Sequence, residues 1–264
     1  MKAKGLTDIG KIKENNEDKF YINDDICLYM VSDGMGGHNS GEVASEMVIN
    51  SFIKEIVDNK KTDLSQICTI TNDLLVKTGE SDPKYHKMGA TLVLLMKSMK
   101  GIVTLNLGDS RIYQISKRKR KWKITQLTHD QTMIAELLRN KKITEEEAKE
   151  HPWRHIISKY FGNPKGNNSC EIKLIENYDI GDFFLLCSDG LSNMVDDEKI
   201  LEIVSKNGLE SVKNLIDLAN ETGGEDNITA VVVQMEKKDK PKDYFPTFRR
   251  MFKLLSVNKR KKEL

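Results

Sequence analysis

The sequence lacks several features that mark large classes of proteins. Only four of its 264 residues are cysteine, and only five are proline. No apolar run approaches the ~20 residues of a membrane span. The first five residues, MKAKG, do not begin an apolar signal region. These absences exclude a membrane-spanning chain and lead us to expect a cytoplasmic protein.

The cysteines are too few and too widely spaced for a metal site or a disulfide framework. Cys27, Cys68, Cys170 and Cys187 form no C-x-x-C pair, which argues against zinc. Two of them, Cys27 and Cys187, lie in apolar segments, so we expect all four to be reduced, small apolar residues. The chain also has no C-x5-R motif, which disfavours a thiol nucleophile.

The whole chain has almost no net charge, but its two parts carry net charges of opposite sign. The formal net charge is +2, while residues 237–264 contain eleven Lys or Arg and three acids, a charge of +8. Residues 1–236 therefore carry −6, because 2 minus 8 is −6. An acidic body is not typical of a nucleic-acid-binding protein, so we expect no nucleic-acid partner.

What the sequence does contain is a series of acidic motifs at the boundaries of predicted strands. The apolar run 26–32 is followed by Asp33-Gly34, with three glycines between positions 34 and 37. The run is too short for a stable helix and suits a buried strand. Glycine allows a sharp turn and a close backbone approach. The Asp33 carboxylate and the Gly34 carbonyl would then face one place, an arrangement that suits a hard cation.

Four further motifs repeat this arrangement. Asp18 precedes a short strand at 20–22, Asp109 follows a strand at 101–107, Asp189 follows one that begins at 183, and Asp226 precedes one at 228–233. Carboxylates at strand ends can converge only if their repulsion is relieved, and a divalent cation relieves it.

Together these motifs resemble the bacterial branch of the metal-dependent protein phosphatases, the PPM or protein phosphatase 2C family. In chain order they are Thr7-Asp8-Ile9-Gly10, Asn16-Glu17-Asp18, Asp33-Gly34-Met35-Gly36-Gly37-His38, Gly108-Asp109-Ser110-Arg111, Ser188-Asp189-Gly190-Leu191 and Glu225-Asp226-Asn227-Ile228-Thr229. Their order and spacing are those of the family, and they extend over residues 1–236.

The resemblance implies an α+β fold, a four-layer α-β-β-α sandwich of two antiparallel sheets flanked by helices. The residue patterns agree, because short turns between consecutive strands indicate antiparallel pairing. Strands are predicted at 2–10, 19–23, 26–32, 89–97, 101–107, 111–116, 122–127, 169–176, 183–188 and 228–234. Helices are predicted at 40–57, 64–77, 196–206 and 208–221, with Asp63 and Ser40 as caps.

Two segments stand apart from this pattern. The charged, helical residues at about 131–165 interrupt the strands, and the resemblance identifies them as the flap beside the active site. Residues 237–264 form a basic tail after a catalytic domain of residues 1–236. Within the tail, residues 244–262 combine basic residues with Phe245, Phe248 and Phe252 at nearly helical period. They could lie on an anionic membrane, dock on a partner or fold back on their own domain.

The resemblance also implies a centre of two Mn²⁺ or Mg²⁺ ions. Asp33 would bridge the ions, the Gly34 carbonyl and Asp18 would complete one shell, and Asp189 and Asp226 would hold the other. Two such ions ~4 Å apart activate water and clamp phosphoryl oxygens. Ligation by oxygen alone favours Mg²⁺ or Mn²⁺ over zinc.

Further residues match supporting positions of the family. Asp109, with Asp189, matches a third and weaker metal site, while Glu17 matches a carboxylate that orients water at the metals. Asn193 stands where some members have another acid, which puts the third ion in question. Asn227 is expected to hold the neighbouring backbone.

Two more positions depart from the family pattern. Lys13 replaces an arginine that often grips the substrate phosphate, and it keeps the charge but loses the bidentate fork. Met35 stands where the animal branch has a histidine general acid. His38 is a candidate for that role, although a single histidine is more often structural. Otherwise, protonation of the leaving group falls to water at the metals.

The resemblance implies hydrolysis of phosphoserine and phosphothreonine in proteins by a monomer that opposes a Ser/Thr kinase. The alternative is a catalytically weak regulator that binds phosphoproteins, which Lys13 favours and the complete set of acids opposes. A nucleic-acid-binding protein is favoured only by the tail and by the basic run 117–121. That run is predicted to be a solvated hairpin tip or, alternatively, an anion-docking site.

Overall fold

The computed structural model of the chain describes residues 1–36, 40–58, 63–149, 151–153, 156–165 and 169–236. In chain order the strands are β1 (Lys2–Asp8), β2 (Asp18–Asn23), β3 (Leu28–Met35), β4 (Gly89–Ala90), β5 (Leu92–Lys97), β6 (Ile102–Leu107), β7 (Arg111–Arg118), β8 (Lys121–Gln126), β9 (Glu171–Ile175), β10 (Phe183–Cys187) and β11 (Ile228–Gln234). The α-helices are α1 (Ser40–Ile53), α2 (Leu64–Ser81), α3 (Met133–Arg139), α4 (Glu145–Lys149), α5 (Asp189–Ser192), α6 (Asp197–Asn207) and α7 (Ser211–Thr222).

The strands form two antiparallel sheets that pack face to face. The first sheet has the order β1-β11-β10-β7-β8, and the second has the order β2-β3-β5-β6-β9, with β4 paired to β3. Alternation along β3 fixes the packing, since Tyr29 and Val31 point to the layer between the sheets, where Phe184 and Leu186 of β10 meet them. The predicted antiparallel pairing is confirmed.

Helices cover the outer face of each sheet. Phe52 of α1 and Ile67 of α2 are fully buried in the cluster on the outside of the second sheet. Ile200 of α6 and Leu215 of α7 are fully buried on the outside of the first. Each such side chain contributes roughly 2 kcal/mol by leaving water. The two helix pairs complete the four layers, as predicted.

The structure corrects several predicted boundaries, among them those of β3, of the strand predicted at 89–97 and of α2. β3 continues to Met35, so Asp33 lies within the strand and not at its end. The single strand predicted at 89–97 is divided at Thr91, which donates its backbone N–H to the Asp33 carbonyl. Helix α2 continues through Gly79 to Ser81, past the predicted end at residue 77. Of the two predicted caps, Asp63 is confirmed, because its side chain accepts a hydrogen bond from the Gln66 N–H, whereas Ser40 is the first residue of α1.

The cysteines also differ from the prediction. Cys68 of α2 and Cys170, which precedes β9, are joined by a disulfide, so the expectation of four reduced cysteines is wrong. They are 102 residues apart, a separation at which spacing carries no signal for pairing. Cys27 lies in the turn before β3 with a positive φ of 51°, outside the strand predicted for it. Cys187 is buried and free in β10, as predicted.

The segment predicted as the flap contains the short helices α3 and α4. Its first residues are tied to the sheets through Gln131, whose N–H donates to the Gly108 carbonyl at 3.0 Å. Its last described residues are held by Asn72 of α2, which accepts a hydrogen bond from the Gly162 N–H at 2.9 Å. Both ends of the segment are thus anchored to the two-sheet body.

No helix within the described residues is both long enough and apolar enough to cross a bilayer. The whole tail, residues 237–264, lies outside the described residues.

Candidate metal centre

The centre is built on one pair of opposing residues in the second sheet. Asp18 of β2 and Asp33 of β3 are register partners. Opposing residues of an antiparallel pair project to the same face, so the two carboxylates are neighbours. Asp18 is 2% exposed, which places one of these charges in the interior.

Two hydroxyl groups of the first sheet fix one oxygen of Asp18. Ser188 Oγ and Thr229 Oγ1 each donate to Asp18 Oδ2 at 2.7 Å. The other oxygen, Oδ1, is buried and has no hydrogen-bond partner among the described residues. Burial raises the pKa of Asp18 to about 7, with the two hydroxyl groups opposing the rise and the charges of Asp189 and Asp226 adding to it.

Asp33 is the acid on which the charges of the other four predicted acids act. Burial raises the pKa of Asp33 well above its usual range. Four neighbouring carboxylates raise it further, in decreasing order Asp18, Asp189, Asp109 and Asp226. The fold therefore brings together the acids that the sequence motifs single out.

Asp109 is held in the loop after β6 by polar contacts at its base. Gly108 adopts a φ of +112°, a conformation that favours glycine, and Ser110 Oγ lies 2.7 Å from Thr91 Oγ1. Asp109 Oδ1 is buried without a hydrogen-bond partner among the described residues. Burial, followed by the charges of Asp189 and Asp130, raises the pKa of Asp109 to about 8.

Two glycines allow the start of α1 to approach the acids closely. A Cβ atom at Gly34 would clash with the Gly41 carbonyl, and one at Gly41 would clash with the Glu17 carboxylate. The Gly41 N–H donates to that carboxylate, while burial raises the pKa of Glu17 above its usual value. Ser45 of α1 also donates to the Glu17 carbonyl at 2.6 Å. Glu17 is thus held beside the acid pair by the first two turns of α1.

Asn227 holds three backbone groups around the centre. Its Nδ2 donates to the carbonyls of Ile9 and Asn15, each at 2.9 Å, and its Oδ1 accepts from the Glu17 N–H at 2.8 Å. The predicted role of Asn227 in holding the backbone agrees with these contacts.

The Lys13 ammonium forms an ion pair with Asp226 in this structure. Its Nζ lies 2.7 Å from Asp226 Oδ1, with side chains 43% and 42% exposed. Burial lowers the pKa of Lys13, but the hydrogen bond that Lys13 donates to Asp226, together with nearby carboxylates, raises it overall. Asn193 Nδ2 donates to Asp189 Oδ2 at 3.1 Å, so this residue supports one of the acids. His38 lies outside the described residues.

Within the ranges that the structure describes, no three His, Cys, Asp or Glu side chains are arranged to hold one ion as they stand. Asp18 is turned partly toward hydroxyl groups and Asp226 toward Lys13. The chemistry of the group nevertheless fits a divalent cation. Its donors are carboxylate oxygens, two of them buried without a hydrogen-bond partner among the described residues. Burial first and neighbouring carboxylates second raise the pKa values of Asp18 and Asp109, and a bound cation would offset both effects.

Sequence reasoning missed the supporting residues more than the acids. Thr91, Gly41 and Ser45 were not singled out, because their roles depend on contacts between distant segments. Ser188 and Thr229, which bind Asp18, lie within the quoted motifs. Their positions in sequence, next to Asp189 and close to Asp226, were the one signal that could have identified them as supporting residues.

The fold and the site together define a four-layer α+β protein with a carboxylate centre suited to divalent cations. The family model described as protein phosphatase 2C matches residues 11–264, and the chain belongs to that family. The match includes residues 237–264, which the motifs do not reach.

Individual relatives agree with this assignment. The serine/threonine phosphatase stp of Listeria monocytogenes serotype 4b is 35% identical over 256 residues, which cover 92% of this chain and 99% of that protein. The crystal structure of the Mycobacterium tuberculosis serine/threonine phosphatase PstP/Ppp has a TM-score of 0.77 and 35% identity, covering 89% of this chain and 99% of that one. A structure of the PstP catalytic domain in complex with two manganese ions has a TM-score of 0.74 at 32% identity, with coverage of 89% and 98%.

Proposed function

We propose that this protein hydrolyses phosphoserine and phosphothreonine in proteins at a centre of two Mn²⁺ or Mg²⁺ ions. The observation that carries the proposal is the Asp18–Asp33 pair, two opposed carboxylates that three further acids surround. Such a concentration of like charge in a protein interior is stable only when protonated or bound to cations. The relative with two manganese ions supports the second of these states.

Each acid has a distinct proposed role. Asp33 would contact both ions, because the charges of all the other acids act on it. Asp18, through its partnerless Oδ1, and the Gly34 carbonyl would hold one ion. Asp189 and Asp226 would hold the other, and Asp109 with Asp189 would hold a third, weaker one. Lys13 contacts Asp226 Oδ1, so an ion held at that oxygen would displace the lysine.

When bound, the ions would supply a water nucleophile of lowered pKa and positive charge for the phosphoryl oxygens. Glu17 would accept a hydrogen bond from that water, since the Gly41 N–H and Asn227 fix its position beside the acid pair. Lys13 is 43% exposed and would contact the substrate phosphate once released from Asp226. His38 or a water molecule would protonate the leaving group.

One assay tests the reaction and its dependence on metal. Turnover of p-nitrophenyl phosphate and of a phosphothreonine peptide would be measured with Mn²⁺, with Mg²⁺ and with EDTA. We expect hydrolysis of both substrates with Mn²⁺ and none with EDTA. Turnover that survives EDTA contradicts the mechanism. Binding of the phosphopeptide without turnover in Mn²⁺ favours the weakly catalytic regulator.

We further propose that the protein acts as a monomer that opposes a Ser/Thr kinase, since serine/threonine phosphatases are among its relatives. A protein phosphorylated by a purified Ser/Thr kinase domain should lose its phosphate when the phosphatase and Mn²⁺ are added. A kinase-labelled protein that keeps its phosphate, while the peptide is dephosphorylated, contradicts this partnership. The elution volume on a sizing column tests the monomer.

A further inference from the structure

A cavity of about 230 Å³ lies between the predicted flap and the chain that enters β9. Its polar lining includes Gln131, Arg139, Lys159, Ser169 and Glu171. The volume is below the roughly 300–1,000 Å³ of sites for drug-sized ligands. The cavity therefore suits one small polar group.

Gln131 brings a buried amide to this cavity. The residue is 6% exposed, and its Oε1 accepts a hydrogen bond from the Gly108 N–H at 3.0 Å. That contact leaves Nε2 as a donor, and Nε2 has no hydrogen-bond partner among the described residues. Because a buried donor without a partner is costly, an acceptor placed in the cavity would stabilise this side chain.

Two cations of the lining, Arg139 and Lys159, have no ion-pair partner in the part of the chain that the structure describes. The Lys159 ammonium contacts the Ser169 hydroxyl at 3.3 Å, which does not neutralise its charge. Arg139 is the last residue of α3 and is exposed, so its guanidinium can turn toward a ligand.

The cavity also has two acids, and one of them is neutralised. Glu171 Oε1 lies 2.7 Å from His129 Nδ1 and 3.0 Å from Lys173 Nζ. Glu136 Oε1 accepts a hydrogen bond from Ser158 Oγ at 2.8 Å, which leaves its charge in place. The lining thus retains two unpaired cations against one such carboxylate, and this excess of positive charge favours an anion.

The donors of the lining match a phosphoryl group. A guanidinium offers two parallel hydrogen bonds to phosphate, and a lysine ammonium binds it as a point charge. The buried amide adds one further donor. A phosphoryl group has three terminal oxygens, so it can accept from all three side chains, whereas a carboxylate has only two oxygens.

An anion in this cavity would join the predicted flap to the two-sheet body. The Ser158 N–H donates to the Gln131 carbonyl at 2.8 Å, so the two ends of the flap meet at the cavity. Gln131 also binds Gly108, the residue before Asp109 of the acid centre. The cavity is therefore close to that centre but is lined by none of its acids.

We propose that this cavity binds a phosphoryl group through Gln131, Arg139 and Lys159. The group comes from free phosphate or from a second phosphorylated residue of a protein substrate, and the second source rests on the proposed function. Bound there, it would hold the predicted flap against the body beside the acid centre.

Binding of inorganic phosphate to the full chain, measured by calorimetry in EDTA, tests the cavity without turnover. EDTA removes any cation that would hold phosphate at the acid centre. The variant is R139Q/K159Q, which removes both cations of the cavity. The matched control is K142Q/K165Q, because Lys142 and Lys165 are exposed residues of the same segment that do not line the cavity.

We expect R139Q/K159Q to bind phosphate roughly tenfold more weakly or worse, since a hydrogen bond to a charged group contributes about a factor of ten. The control should bind as well as the parent, and both variants should keep the Tm that the parent has without phosphate. Absence of phosphate binding by the parent, equal binding by parent and R139Q/K159Q, or an equal loss in the control would overturn the proposal.

Two phosphopeptides distinguish the two sources. One carries phosphothreonine alone, and the other carries a non-hydrolysable phosphonate as well. If a substrate supplies the group, the parent in Mn²⁺ should have a KM roughly tenfold lower for the second peptide at similar kcat, and R139Q/K159Q should lose this difference. Equal KM values in a parent that binds phosphate would assign the cavity to free phosphate. Failure to hydrolyse either peptide would contradict the proposed function, while the measurement in EDTA would still decide whether the cavity binds phosphate.

Discussion

Lys13 Nζ lies 2.7 Å from Asp226 Oδ1, so a cation of the chain already occupies one of the predicted metal ligands. The contact results from the sheet, because β1 and β11 pair through Asp8 and Ile228 and bring the adjoining loops together. The Lys11 N–H donates to the Gly224 carbonyl at 2.7 Å and closes the same junction. Lys13 can thus affect both metal binding and substrate binding.

Substitution of Lys13 should separate these two effects. Lys13→Met removes a cation that competes for Asp226, so we expect Mn²⁺ to bind roughly three- to tenfold more tightly, as measured by calorimetry without substrate.

Lys13→Arg should lower the KM for a phosphothreonine peptide by a similar factor at unchanged kcat, because a guanidinium offers phosphate a second hydrogen bond. An unchanged KM in Lys13→Arg would show that the residue does not face the substrate.

Replacement of Asp33 by asparagine should abolish turnover while the fold survives. The change keeps the shape of the side chain but removes the charge on which the other four acids act. Loss of the proposed bridging ligand should lower kcat by ~10³-fold or more. Circular dichroism and Tm provide the check on folding, and Asp217→Asn, on the exposed side of α7, is a matched control. Near-normal kcat in a folded Asp33→Asn protein contradicts the assigned role.

Removal of metal should make stability depend on pH. The pKa values of Asp18 and Asp109 are raised to about 7 and about 8, above an unfolded value of about 4. The folded state then holds protons that the unfolded state has lost, so its stability falls as pH rises from about 4 through these values. Between pH 6 and 9 the EDTA-treated protein should lose on the order of 3 kcal/mol of unfolding free energy. Urea titrations at both pH values measure this.

Added Mn²⁺ is the control for that experiment. It should restore stability most at pH 9, where the carboxylates are ionised and bind a cation best. A metal-free protein that is more stable at pH 9 than at pH 6 would show that these acids do not govern the response.

Cys187 should be dispensable for catalysis. Its thiol is buried in β10, and burial raises the pKa of Cys187 to about 12, so almost no thiolate exists at neutral pH. Cys187→Ala should keep the turnover of p-nitrophenyl phosphate and lose about 1 kcal/mol of stability from the smaller side chain. Iodoacetamide should leave Cys187 unmodified in the folded protein. Loss of turnover in a folded variant would favour the thiol chemistry that the sequence disfavours.

The five acids and the alternation of sheets and helices could be predicted because each follows from a residue pattern within one short segment. An apolar strand followed by Asp-Gly identifies Asp33 or Asp189 without knowledge of the partners, and the period of the apolar residues separates strands from helices. The alternation of Leu28, Tyr29, Met30 and Val31 between two buried faces follows from the pleat of a strand.

The remaining features depend on contacts between distant segments. The break at Thr91 exists because its side chain and backbone bind Asp33, 58 residues earlier in the chain. Helix α2 continues through Gly79 because the Asp82 N–H still bonds to the Thr78 carbonyl, which offsets the cost of a glycine in a helix. The contact of Cys68 with Cys170 forms only when α2 packs on the outside of the second sheet, and that of Lys13 with Asp226 only when β1 pairs with β11. No pattern in a single segment predicts these pairs.

Deletion of residues 240–264 should leave the turnover of p-nitrophenyl phosphate intact. Every proposed ligand lies within residues 1–236, and the last described residues are already fixed, since the Met235 N–H bonds to Asp182 and Met235 is 3% exposed. The truncated protein loses nine of the eleven basic residues of the tail, so its binding to anionic vesicles should weaken. Raised salt should weaken the electrostatic part and spare the apolar part. Sedimentation and turnover of both proteins at low and high salt measure these effects. Lost turnover on truncation would mean that the tail packs on the catalytic body, and equal sedimentation of the two proteins would exclude the tail from the membrane contact.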